Sequence, residues 1–192
     1  MNPPPHAHPK SSDMAIQTAQ SPDKGAWIHR AGAASNAALG RIPESAIALL
    51  GRFSIAAVFW KSGQTKIEGL SIDIVAGAFE FGAPRLSASA IDLFRDEYRL
   101  PVLSPELAAL LATWGEHLLP AMLLLGLGTR FAALGLLAMT AVIQLFVYPA
   151  AYPTHGVWAA VLLWLMVRGP GVVSLDHLWA GRLRGSIPHG PR

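Results

Sequence analysis

The sequence predicts an all-α integral membrane protein, a four-helix bundle with a long extracytoplasmic loop between helices 1 and 2. Three observations carry that expectation. The 192 residues are 52% hydrophobic and only 14% charged, with a mean hydropathy of +0.38, too apolar for an ordinary soluble domain of this length. Four apolar runs approach the length needed to cross a ~30 Å hydrocarbon layer as helices at ~1.5 Å per residue. A mixed stretch over about residues 64–105 separates the first two runs, and Glu68, Asp73, Glu80, Arg85, Asp92, Arg95, Asp96, Glu97 and Arg99 break it too often for it to span.

Three regions follow: a disordered N-terminal tail over 1–40, a transmembrane domain over 41–180 and a polar C-terminal tail over 181–192. The tail is rich in Pro, His, Ser, Ala and Gly and lacks sustained periodicity. No apolar run begins before Ile42, so a cleaved signal peptide is not expected. His6 and His8 are read as incidental members of this proline-rich stretch.

The first span covers about residues 42–61, with Pro43, Glu44 and Ser45 suited to a helix first turn. Arg52 falls near its centre. Gly63 then offers a helix stop, and Lys61 and Lys66 are placed to snorkel or to line an entrance. Within the mixed stretch, residues 72–79 and 90–94 read as short helices on the membrane surface or capping the bundle. Ser104 and Pro105 start the second span, about residues 107–127, whose midpoint carries Glu116 and His117. An acid there costs roughly 2.5–3.5 kcal/mol and demands a partner, a proton or water. Pro120 adds an irregularity, because it removes the hydrogen bond to the carbonyl of Glu116.

Gly126 and Gly128 permit a tight turn, Arg130 opens the third span over about 131–148, and Gln144 is its one polar interior residue, suited to interhelical hydrogen bonding. The fourth span ends at Arg168 and the Gly-Pro-Gly of residues 169–171. Ser174 can cap a final amphipathic turn.

Arg52 and Glu116 face the same burial cost, and the cheapest common solution is an ion pair across the first two helices. Such a pair either fixes helix register or serves function. His117 points about 100° away from Glu116 on a helix, and no i, i+3 or i, i+4 ligand pair occurs in the spans, so no metal site is expected. The absence of cysteine removes dithiol, iron–sulfur and thiolate–metal chemistry from this chain's own side chains. A net charge of +3 spread between apolar runs argues against nucleic-acid binding. Arg30, Arg41, Arg130, Arg168, Arg182 and Arg184 flank one end of the four spans, so the positive-inside rule puts both termini in the cytoplasm.

FWKSGQTKI at the end of the first span, YRLP before the second, GEHLLPAMLLLGLGTRFAALGL across the second and third, and GPGVVSLD after the fourth together resemble the DoxX family of small bacterial membrane proteins, over roughly residues 46–178. Arg52, Lys61, Gly63, Lys66, Glu116, Gly126, Arg130, Gly169, Gly171 and Asp176 match its pattern. The resemblance implies a multi-pass protein of the bacterial inner membrane, in the lipid bilayer, with a soluble or membrane redox partner protein. Some relatives are small subunits of thiosulfate:quinone oxidoreductase; relatives working in thiol redox need cysteines that this chain lacks. On that reading Glu116 and His117 exchange protons with a quinone, Arg52 stabilises anionic intermediates, and Lys61, Lys66 and Arg130 hold the cofactor. A non-catalytic membrane anchor or assembly protein, and a small-solute or proton pathway, remain as alternatives.

Overall fold

The computed structural model describes residues 24–73 and 76–185. The chain divides into two compact units, Met1–Arg41 and Ile42–Arg192. In the first, helix α1 spans Lys24–Leu39, a stretch in which the sequence suggested no regular structure. Six of its sixteen residues are alanine, so intrinsic propensity makes a helix where apolar periodicity gives no signal. The rest of the expected N-terminal tail, with His6 and His8, and residues 186–192 of the expected C-terminal tail lie outside the described residues.

The second unit holds α2 (Glu44–Gln64), strands β1 (Ile67–Asp73) and β2 (Ala78–Leu86), α3 (Ala88–Asp92), α4 (Pro105–Leu125), α5 (Thr129–Val142), α6 (Tyr152–Arg168) and α7 (Leu175–Gly185). Two π-helical segments, Leu93–Tyr98 and Ile143–Val147, follow α3 and α5. Among the described residues, four helical stretches are long and apolar enough to cross a membrane: Glu44–Gln64, Pro105–Leu125, Thr129–Val147 and Pro149–Arg168. Their outward faces leave Leu50, Trp114, Phe131 and Leu145 more than half exposed, a surface that lipid solvates.

Terminal residues set the helix ends. Ser104 accepts from the Leu107 amide and Pro105 occupies the first turn of α4, where a missing N–H costs nothing. Gly126, at φ 68°, closes α4 in the left-handed conformation that a side chain would resist. Ser174 accepts from the His177 amide at the start of α7. Buried residues recur at helical spacing, as in Thr113, Glu116, Pro120 and Leu123 of α4, so each span turns one stripe inward. Small residues on the stripes bring backbones close: a Cβ on Gly63 would lie 2.7 Å from the His117 ring and 3.0 Å from the Glu116 Cβ.

Two expectations are corrected between the first and second spans. The protein is mostly helical, but the segment between those spans is not a long loop, and of the short helix expected over 72–79, residues 72–73 and 78–79 are strand instead. They belong to an antiparallel hairpin in which Leu70 pairs with Phe81, Ser71 with Glu80, Ile72 with Phe79 and Asp73 with Ala78. Polar and apolar residues alternate there with period two, which suits a strand and denies a helix one apolar face. The short helix expected over 90–94 is present, as the end of α3 and the start of the first π-helical segment.

Candidate functional site

Glu116 lies on the inward stripe of α4 and is 4% exposed. Antiparallel packing of α2 and α4 puts it opposite Ser62, whose hydroxyl donates to Oε1 at 3.0 Å. One turn further along, Lys66 Nζ stands 2.7 Å from Oε2. The ammonium also donates to the Ser62 hydroxyl at 3.0 Å and the Ser62 carbonyl at 3.2 Å. The approach to Oε2 is an ion contact outside hydrogen-bond alignment, so that oxygen keeps a buried acceptor without an aligned donor. Glu116 is thus held by Lys66 and Ser62.

The expected Arg52–Glu116 ion pair does not form. Ten residues of α2 separate Arg52 from Ser62, about 15 Å of helix. At its own level the guanidinium donates to four carbonyls: Leu123 at 2.9 Å, Leu124 at 2.7 Å, Pro170 at 2.8 Å and Val173 at 2.7 Å. The first two belong to the last turn of α4, where carbonyls run out of regular helical donors, and Leu123 also accepts from the capping Gly126 amide at 3.1 Å. Asp176 completes this knot, its carboxylate accepting from the amides of Gly128 at 2.7 Å and Thr129 at 3.0 Å at the start of α5. Arg52 and Asp176 therefore fasten helix ends, at a level set by the axial register of α2 against α4.

His117 is turned away from Glu116. Its Nδ1 lies 2.7 Å from the Thr113 carbonyl and its Nε2 lies 2.9 Å from Gln64 Nε2. A carbonyl only accepts, which assigns the ring proton to Nδ1 and makes Nε2 the acceptor of the Gln64 amide. Gln64 Oε1 in turn accepts from the Ile72 amide at 2.7 Å, so His117 anchors the hairpin. Of the expected cofactor-holding cations, only Lys66 reaches Glu116. Lys61 is exposed on α2, and exposed Arg130 reaches the Val167 carbonyl at 3.4 Å.

A mainly apolar cavity of about 380 Å³ opens beside Glu116, bounded by α2, α4, α5, α6 and both π-helical segments. Its volume and apolar lining fall within the range of small-molecule sites, and π-helical turns are frequent where helices serve one. Its polar groups are Glu116, Ser62, Tyr98, Tyr148 and His155. The Tyr148 hydroxyl donates to exposed Glu97, and the Tyr98 and Tyr148 rings meet edge to face at 5.8 Å. The bond to Glu97, then burial, raise Tyr148 well above the usual tyrosine range, and burial chiefly raises Tyr98. His155 Nδ1 lies 2.7 Å from Gln144 Oε1, and Gln144 donates its own amide to the Pro149 carbonyl at 2.7 Å. His155 Nδ1 is therefore the donor, leaving Nε2 as an acceptor.

The sequence reading missed Ser62, Tyr98, Tyr148 and His155 as site residues. They come from separate elements, and no local spacing announces them. Gln144 does make the interhelical bond its position suggested.

Fold and site together define a small multi-pass membrane protein with an ion pair buried at the wall of an intramembrane pocket. The chain belongs to the DoxX family, whose model matches residues 47–149. No curated protein and no solved structure matches the chain.

Proposed function

We propose that this chain is the membrane subunit of a quinone-linked redox system, and that the cavity beside Glu116 receives the quinone head group. The carrying observation is the combination of an apolar cavity of about 380 Å³ with Glu116, Tyr98, Tyr148 and His155 around it. An apolar ring with two carbonyl oxygens matches that lining, because apolar walls hold the ring while a few donors fix the oxygens. Reduction of a quinone to a quinol takes two electrons and two protons. The chain's part is with the protons: Tyr98 and Tyr148 keep theirs to high pH, and the Glu116 carboxylate and His155 imidazole face the same cavity as acid–base groups. The electrons come from a partner redox protein, soluble or membrane-bound, or from a reductant.

Arg52 has no place in this pocket chemistry and His117 only a structural one. We assign the protein to the bacterial inner membrane with both termini cytoplasmic, since Arg130, Arg168 and Arg182 lie at one end of the spans and the 149–153 turn carries no cation. The hairpin and α3 then face the outside.

Titration of a short-tailed quinone into the detergent-solubilised protein, followed by tryptophan fluorescence, tests the pocket through Trp158 on its wall. Saturable quenching that Trp158→Phe reduces and Ala138→Phe abolishes supports the assignment. Quenching that rises without saturation and ignores Ala138→Phe rejects it and leaves a non-catalytic anchor.

A further inference from the structure

We propose that the β1–β2 hairpin is a lipid-contacting element, its apolar face resting in the interfacial layer of the bilayer beside α4. The pairing divides the hairpin cleanly. Leu70, Ile72, Phe79 and Phe81 share one face, whereas Ser71, Asp73 and Glu80 share the other. An antiparallel pair of this kind needs cover on one side only. Protein supplies part of that cover, because Leu70 joins Trp60 of α2 and Leu110 and Trp114 of α4 around a groove. It stops short of the two aromatic rings: Phe79 is 56% exposed and Phe81 80% exposed. Their rings are nearly parallel, 6.3 Å apart, and form one continuous apolar surface.

Depth identifies what covers them. The α4 residues lining this groove, from Leu110 to His117, lie five to twelve residues inside a membrane span, about 8–18 Å along its axis. The groove thus runs into the side of α4 where Leu107, Leu111 and Trp114 are exposed, the side that lipid contacts. The backbone sets a limit on insertion. On the α2 side, Ile72 is satisfied in both directions, its amide donating to Gln64 Oε1 at 2.7 Å and its carbonyl accepting from Trp60 Nε1 at 3.1 Å. Among the described residues nothing covers the outer edge of β2 in this way, and it needs water or head groups, because open sheet edges are not tolerated in hydrocarbon. Phe79 and Phe81 therefore dip into the acyl boundary while Glu80 stays in water.

The chain has no cysteine, so single labels can be introduced without altering other sites. Phe79→Cys, Glu80→Cys and Phe81→Cys, each carrying a nitroxide and reconstituted in phosphatidylethanolamine–phosphatidylglycerol vesicles, are compared by collision with oxygen and with a nickel chelate. All three positions are exposed, where substitution is well tolerated. The expected result is an oxygen-to-nickel ratio several-fold higher at 79 and 81 than at 80. High nickel access at all three positions overturns the proposal in favour of a water-facing hairpin. Poor access of both reagents at 79 and 81 overturns it in favour of a covering protein, a second copy included. Neither Glu116 nor the pocket enters this readout, so its outcome is independent of the quinone assignment.

Discussion

Lys66 Nζ lies 2.7 Å from Glu116 Oε2, with the two side chains 3% and 5% exposed. Each charge is tolerable there because of the other. Removing one partner of such a pair strands an ion in a low-dielectric site, at a cost of about 3–5 kcal/mol, whereas removing both is far milder. Lys66→Met should therefore destabilise the protein by about that amount, and the double variant with Glu116→Gln should recover most of it. Thermal unfolding in detergent measures both. Additive losses would show that the two residues do not act as a pair.

Arg52 meets four carbonyls in a planar fan that an ammonium cannot reproduce. Arg52→Lys is expected to lose about 2–4 kcal/mol although the charge is kept, because charge-assisted bonds contribute about 1.5–3 kcal/mol each and a lysine recovers only some of them. Pocket ligand binding by the folded fraction should not change. A fully stable Arg52→Lys would mean that charge alone is what this position needs.

Asp176 holds the Gly128 and Thr129 amides at the start of α5. Asp176→Ala should cost about 0.5–2 kcal/mol, the usual range for a lost helix cap. Hydrogen exchange should quicken at those two amides first. Unchanged exchange there would assign the stabilisation elsewhere.

Tyr148 is raised above the ordinary tyrosine range, mainly by its bond to Glu97. A folded-state value above the unfolded one means that the native state holds the phenolic proton more tightly. The corresponding stability is present below the unfolded value, about pH 10, and is lost as pH rises through the folded one. Tyrosinate absorbance should show a late-titrating component that disappears in Tyr148→Phe and moves to lower pH in Glu97→Gln. A component unaffected by Glu97→Gln would contradict the assigned cause.

Sequence alone located the four spans because length and hydropathy are local properties, and it singled out Glu116 because a midspan acid is costly. The partner of Glu116 was hidden for a physical reason. Which residue of α2 faces it depends on the axial register of two helices, and Lys66, just past the helix end, looks like an ordinary exit cation. The hairpin had a signal in the alternation of Leu70, Ser71, Ile72 and Asp73 with Ala78, Phe79, Glu80 and Phe81. Each run is only four residues long, so its period was outweighed by helical patterning nearby. Tyr98, Tyr148 and His155 converge only in three dimensions.

Quinone co-purification tests the central claim most directly. The protein is extracted from membranes in mild detergent, and quinone per protein is measured by mass spectrometry for wild type, Glu116→Gln and Ala138→Phe. Quinone enriched over the bulk lipid ratio in wild type, and lost from a folded Ala138→Phe, is the predicted result. Wild type with no more quinone than the surrounding lipid, or equal retention in all three proteins, would contradict it.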